Sequence, residues 1–194
     1  MMADPLADLA LELRKLKEQR DAELRATYDR SLPFADAQFD RWERAKVLGF
    51  GDKTSIYDSS FIFGDVKVGY KTWIGPFTLL DGSGGGLTIG DHCSISAGVH
   101  IYTHDTVLWA VSGGVQAAKK SAVRIGSNTY IGAQSVIVAG VTIGERCVIA
   151  ANSLVNRDVP DGTIVGGTPA RMLGHVEGEG AQAKLVFDRK DQNA

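Results

Sequence analysis

"IGSNTYIGAQSVIVAGVTIGERCVIAANSLV", residues 125–155, places an aliphatic residue at every sixth position: Ile125, Ile131, Ile137, Ile143, Ile149 and Val155. A spacing of six matches neither the 3.6-residue period of an amphipathic helix nor the two-residue alternation of a long strand. It matches a short strand and a turn, repeated. One such piece cannot bury its aliphatic side chain alone, so successive pieces must wrap into coils stacked at the strand spacing of about 4.8 Å. With three pieces per coil, Ile125 lies under Ile143, Ile131 under Ile149 and Ile137 under Val155. The expected interior is a triangular prism filled by columns of aliphatic side chains.

The first half keeps the same beat through Ile56, Ile62, Val68, Ile74 and Leu80, and after "GSGGG" it resumes at Ile89, Ile95 and Ile101. Four residues beyond most of these positions stands something small or β-branched, such as Ser60, Thr72, Cys93, Thr129, Ser135, Val141, Cys147 and Ser153. Both cysteines of the chain occupy that slot, far apart in sequence and with no CxxC, which makes them core residues and not a zinc ribbon or a disulfide framework. Glycine after the aliphatic residue, as at Gly126, Gly132 and Gly144, suits a corner that needs positive φ or close backbone approach. "GSGGG" lacks the Lys-Ser/Thr and following helix of a phosphate loop, and is expected to be a flexible bulge between coils.

An open coil stack exposes strand edges at both ends, which must be covered. Residues 1–50 form the expected N-terminal helical cap: Asp4 and Pro5 start a helix, Leu6, Leu9, Leu13 and Leu16 follow at helical spacing, and a second amphipathic segment carries Phe39 and Trp42. The coils occupy 51–176, closed by "TIVGGTPARMLGHV", and 177–194 form a polar C-terminal tail expected to be mobile. Between Ile101 and Ile125 the repeat signature is absent, so 102–124 form a loop thrown out from the prism. Val107, Leu108 and Trp109 would gain little from solvent, and the loop is expected to pack on a neighbouring subunit.

The 21 basic and 23 acidic side chains nearly cancel, and the basic ones are scattered, which argues against nucleic acid as a partner. Nothing near the N-terminus resembles a signal peptide and no apolar run approaches a membrane span, so a cytoplasmic location is expected. His104 stands at the base of the loop. With an ordinary pKa of about 6.5, histidine can accept a proton at cytoplasmic pH, and a solvent-facing loop histidine is the plain alternative. His100 precedes a repeat position and should face outward, His92 should sit at a corner, and His175 has no visible partner.

The repeats, together with "IGDHCSISAGVHIYTHD", "NTYIGAQSVIVAGVTIGERCVIAANSLVNRDVP" and "VGGTPARMLG", resemble the hexapeptide-repeat acyltransferases over about residues 55–176. Within them the resemblance is to the maltose and galactoside O-acetyltransferases and related bacterial sugar acetyltransferases. It implies an all-β core, a left-handed parallel β-helix, assembled as a homotrimer with acetyl-CoA in the groove between two prisms. The handedness comes from the resemblance alone, because ordinary parallel crossovers are right-handed. His104 matches the family's catalytic histidine, Ala133 and Ala151 match positions whose backbone flanks pantetheine, and Asn156, Arg157 and Arg171 match the end that meets the nucleotide. Two departures bear on the acceptor. Tyr130 stands where the sugar O-acetyltransferases typically carry Trp, which keeps an aromatic wall for the cofactor and adds a hydroxyl; and the His104 stretch is shorter than in the galactoside enzymes.

The implied function is direct acetyl transfer from acetyl-CoA to a hydroxyl or amine of a sugar or nucleotide-linked amino sugar, with His104 as general base. Asp81, about one coil before Tyr102, would orient His104 or bind the acceptor, and Trp109 of the loop would also meet the acceptor. Two rivals stay open at this point. A carbonic-anhydrase-like zinc enzyme on the same prism would need three converging histidines, and His92, His100 and His104 cluster but lack the distant first ligand. No metal site is assigned. A non-catalytic trimeric scaffold would need only the prism.

Overall fold

The computed structural model describes residues 5–188. Asp4, one half of the expected helix start, lies outside the described residues, as do 189–194. Short parallel strands stack on three faces. The first face carries Ser55–Ile56, Trp73–Ile74, Ser94–Ile95, Tyr130–Ile131, Val148–Ile149 and Thr163–Gly167 in that order. The second carries the first halves of Phe61–Val68 and Leu79–Ile89, then His100–Ile101, Val136–Ile137 and Leu154–Val155. The third carries the second halves of the two long strands, Val123–Ile125 and Thr142–Ile143. Ile131 pairs with Ile149, Ile137 with Val155 and Ile125 with Ile143, the register that the period requires. The aliphatic positions of the beat from Ile74 to Val155 are buried, each such side chain contributing roughly 1.5–3 kcal/mol of transfer free energy.

The corners show why the fourth place is small and often polar. Thr72 Oγ1 donates to the Gly90 carbonyl at 2.9 Å, Thr129 Oγ1 to Gly144 at 3.0 Å and Ser135 Oγ to Ala150 at 2.9 Å. Each hydroxyl is itself buried and ties one coil to the next, a hydrogen bond worth about 0.5–1.5 kcal/mol. Cys93 Sγ and Cys147 Sγ reach the carbonyls of Gly126 and Pro160 in the same way, at 3.2 and 3.1 Å. Burial pushes both thiols above their ordinary pKa. The native protein should therefore leave both cysteines unmodified by an aromatic disulfide reagent and release two thiol equivalents only on unfolding; rapid labelling of the folded chain would contradict this burial.

Of the two reasons offered for the corner glycines, close approach is the one observed. A Cβ on Gly132 would stand 2.5 Å from the Ala151 nitrogen of the next coil. Positive φ falls two residues further on, at Lys71, Phe77, His92, Asn128, Gln134 and Arg146. His92 is thus a corner residue, its ring edge-on to Tyr70 at 5.3 Å.

Three expectations need correction. "GSGGG" is a bulge but not a flexible one: it lies inside the strand Leu79–Ile89, where the pairing with Phe61–Val68 shifts register between Gly64 and Val66, and the Ser83 and Gly84 nitrogens are held by Asp81 and Thr103. The interval from Leu80 to Ile89 exceeds the beat by three residues, and the extra chain turns the corner against its neighbours; a Cβ on Gly84 would stand 2.1 Å from the Thr103 carbonyl oxygen. The described part of the polar tail is also ordered. Lys184–Phe187 pairs antiparallel with Ala170–Glu177, which itself folds back on Thr163–Gly167 and closes the stack, and His175 Nε2 lies 3.1 Å from Glu177 Oε1.

The third correction concerns the leucines of the first helix. α1 (Pro5–Tyr28) meets α2 (Phe34–Gln38), yet Leu6, Leu9, Leu13 and Leu16 remain 41–75% exposed in the single chain. The first coil is covered instead by α3 (Arg41–Val47), whose Ala45 joins the core with Phe50. Asp40 caps α3, accepting from the Trp42 and Glu43 nitrogens at 2.9 Å each. Asp36 of α2 is buried and accepts from the Ser59 nitrogen at 2.9 Å, pinning the helices to the coil. Phe39 and Trp42 are exposed.

Candidate active site

His104 leaves the second face just past the buried Ile101 and Thr103, where the chain departs from the coil. It opens a two-residue ladder, His104–Asp105 against Lys119–Lys120, which forms the neck of the excursion. Beyond the neck, α4 (Val107–Val111) follows Asp105, whose Oδ1 accepts from the Val107 nitrogen at 3.1 Å. The excursion is a closed hairpin with a short helix at its tip. None of the α4 side chains is buried, and Trp109 is 52% exposed.

Asp81 is the group that holds His104. Its Oδ2 lies 2.8 Å from His104 Nδ1 and accepts from the Thr103 nitrogen at 3.2 Å. Its Oδ1 accepts from Ser83 Oγ at 2.5 Å and from the Ser83 nitrogen at 2.9 Å. Asp81 is 2% exposed. Burial alone would raise its pKa, but the hydrogen bonds from Ser83, Thr103 and His104 outweigh burial and hold the carboxyl at about 2. An ionised carboxylate can only accept, so Nδ1 carries a proton, and in the neutral imidazole the lone pair is therefore on Nε2. Of the two roles expected for Asp81, orienting His104 is the one this geometry fits; a buried carboxylate with both oxygens engaged has no open face for an acceptor.

Ser83 and Thr103 escaped the sequence reading. Thr103 Oγ1 accepts from the Gly84 nitrogen at 2.8 Å, so the glycine-rich strand, Asp81 and the base of the loop form one network. The available signal was the extra length between Leu80 and Ile89, the interval that contains Ser83.

The His104 side chain is 38% exposed and stands between two hollows. On one side lie Tyr102, Asp105, Thr106, Val107, Lys119, Val138 and Ala139. On the other lie Phe63, Gly64, Leu79, Asp81, Ser83 and Tyr102. Trp109 lines neither of them within this chain. Tyr102 is fixed by its hydroxyl, 3.2 Å from His100 Nδ1. His92, His100 and His104 thus engage three different partners, and no group of three or more His, Cys, Asp or Glu residues that could hold a metal ion is found among the described residues.

Four of the six expected cofactor residues divide between the edges of the second face. Val136–Ile137 and Leu154–Val155 run across it. Ala133 and Ala151 precede these strands, stacked at one corner where the Asn152 nitrogen donates to the Ala133 carbonyl at 2.9 Å. Asn156 and Arg157 follow them, exposed at the corner that two coils earlier carries Tyr102. Arg171 is exposed on Ala170–Glu177, its Nη1 donating to the Ala170 carbonyl at 2.9 Å. Tyr130 faces outward from the first face, in a hollow with Arg146, Val176 and Leu185, and like Arg171 it does not stand at the second face with Ala133, Ala151, Asn156 and Arg157. Among the described residues, no helix is long and apolar enough to cross a membrane.

Comparison with known proteins agrees with this architecture. A family model described as bacterial transferase hexapeptide (six repeats) matches residues 122–157. Protein CapG of Staphylococcus aureus is 39% identical over 92 residues, 47% of this chain and 54% of CapG, so the chain spans about half the length of this relative. The crystal structure of the hexapeptide-repeat-containing acetyltransferase VCA0836 of Vibrio cholerae O1 biovar eltor, complexed with acetyl-CoA, is 31% identical with a TM-score of 0.61, covering 86% of this chain and 90% of that one. A mutant of AntD, an N-acyltransferase from Bacillus cereus in complex with dTDP and coenzyme A, is 26% identical with a TM-score of 0.60, covering 65% of this chain and 72% of that one.

Proposed function

Since the chain belongs to the hexapeptide-repeat acetyltransferase family, we propose that it transfers acetyl from acetyl-CoA to a hydroxyl or amine of a sugar-type acceptor, with His104 as general base. The observation that carries this reading is the His104–Asp81 pair, a histidine with its Nδ1 held by a buried carboxylate and its ring open to two hollows. Nε2 takes the proton of the acceptor group as its oxygen or nitrogen attacks the thioester carbonyl. The new bond forms, the C–S bond breaks, and the imidazolium returns the proton to the departing thiolate. Asp81 stabilises the imidazolium between these steps.

The complex of VCA0836 with acetyl-CoA supports the donor, and AntD, an N-acyltransferase bound to coenzyme A and dTDP, keeps amines and nucleotide-linked sugars within the acceptor class. The distribution of residues supports a site shared between copies, as in the homotrimer that the family resemblance implies. Ala133 and Ala151 stand at one edge of the second face, while His104, Asn156 and Arg157 stand at the other, so a groove between two copies brings both edges onto one coenzyme A. Backbone groups beside Ala133 and Ala151 pair with the pantetheine amides, and Arg157 and Arg171 meet the phosphates. The exposed apolar side chains of α4, Trp109 among them, pack on the adjacent copy and close over the acceptor. The donor is a cytoplasmic metabolite, which puts the reaction in the cytoplasm.

Calorimetric titration with acetyl-CoA tests the donor. One saturable site per chain is expected, weakened by Arg171→Ala, more so at low salt than at high salt. A protein that binds no acetyl-CoA would instead be the non-catalytic scaffold.

A further inference from the structure

The two hollows beside His104 differ in chemistry. On the side of the later coils, Lys119 contributes a cation at the neck of the loop. The other hollow is lined by Phe63, Gly64, Leu79, Asp81, Ser83, Tyr102 and His104, with no lysine or arginine among them. Its one constant charge is the Asp81 carboxylate, negative and buried.

Aromatic surface continues outward from this second hollow. Phe61 and Phe63 alternate along one strand and both point away from the core, 59% and 48% exposed. Their ring centroids lie 6.3 Å apart at an interplanar angle of 18°, so the two rings stand nearly parallel on the same side of the strand, with Phe63 the one that lines the hollow. The strand is fixed beneath them by its ladder, with Phe61 opposite Leu79 and Phe63 opposite Asp81. The aromatic face is therefore held in register with the carboxylate that positions His104. Phenylalanine carries no hydrogen-bonding group that would orient a polar ligand; it offers area and the negative face of a π-system, to which the weakly positive C–H edge of a ring is complementary.

We infer that Phe61 and Phe63 form the acceptor platform, and that the acceptor is an unphosphorylated pyranoside laid with its C–H face on Phe63 and its reacting hydroxyl or amine toward His104. The inference rests on the acetyl-transfer reading and narrows it. A nucleoside diphosphate on this side would bring about two negative charges to a hollow without a cation and with a fixed carboxylate, where charge pairing of the kind that phosphate sites rely on is missing. An uncharged ring meets no such cost. Tyr102, braced by His100, closes the platform on the side of the loop.

The test compares coenzyme A release with a set of methyl pyranosides and amino-pyranosides against uridine- and thymidine-diphosphate hexosamines, for the wild type, Phe63→Ala, Phe63→Trp and Phe61→Ala. For the wild type, unphosphorylated pyranosides should be turned over with the higher kcat/KM. Phe63→Ala should raise the pyranoside KM about tenfold while the acetyl-CoA KM stays put, Phe61→Ala should do so by less, and Phe63→Trp should restore the wild-type value. Calorimetric binding of acetyl-CoA to each variant verifies that its fold is intact. Preference for the nucleotide-linked sugars, or an acceptor KM indifferent to Phe63→Ala, would overturn the platform and leave acetyl transfer standing. Absence of release with every acceptor would overturn both.

Discussion

His104→Ala is expected to lower acceptor-dependent turnover by roughly 10²–10⁴-fold, the range that a positioned general base contributes. A neutral hydroxyl or amine is a poor nucleophile towards a thioester, and His104 is the neck residue whose ring opens on both hollows while a buried carboxylate braces it. Asp81 is ionised but buried with both oxygens engaged, and Asp105 Oδ1 is spent on the start of α4. Because the imidazole is partly exposed and outside the core, its removal should leave folding and acetyl-CoA binding intact. The loss should therefore fall on kcat and not on the acetyl-CoA KM. A variant that turned over at the wild-type rate would remove His104 from the mechanism.

Asp81→Asn should have the second largest effect, about 10- to 10²-fold on kcat, because it changes the tautomer of His104 without changing its place. With the Asn oxygen retained by Ser83, the amide nitrogen faces His104 and donates to Nδ1; Nε2 then bears the proton and cannot act as base. The same substitution has a signature in stability. Asp81 ionises at about 2 in the folded protein, below its ordinary value of 3.8. Its stabilising contribution is therefore fully present above about pH 4 and is lost as pH falls through the folded value, an effect on the order of 2 kcal/mol. Unfolding midpoints of wild type and Asp81→Asn should converge as the pH is lowered from about 5 to 2. A constant gap across that range would mean that the carboxylate is not held as described.

The prism was legible because a period of six is incompatible with any other regular backbone, and because each of its places has one duty: aliphatic for the interior, hydroxyl or thiol for the corner bond, glycine for the approach of the next coil. The position of His104 was legible as the point where the period breaks. The sense of the coil, left-handed, was not; it came through family resemblance alone. What holds His104 was only half legible. Asp81 stands close in the coil count, but its bonds to Ser83 and Thr103 depend on a strand that turns a corner with three extra residues, and such a strand looks from the sequence like a loop. The leucines of α1 misled for a different reason. Helical spacing shows that a face exists, and nothing in the spacing says what covers it; here the first coil takes Ala45 and Phe50 instead. The strand Lys184–Phe187 was missed because its four residues lie in a polar neighbourhood, and pairing with Gly174–Glu177 is decided by the hairpin before it.

The central claim is most directly tested by following acetyl-labelled acetyl-CoA into product with the wild type and His104→Ala side by side, on the sugar acceptors above. The account predicts label on the acceptor in the wild type, one coenzyme A thiol released per label, and near-complete loss of both in the variant. Release of unlabelled acceptor with free acetate, or equal labelling by the variant, would contradict it.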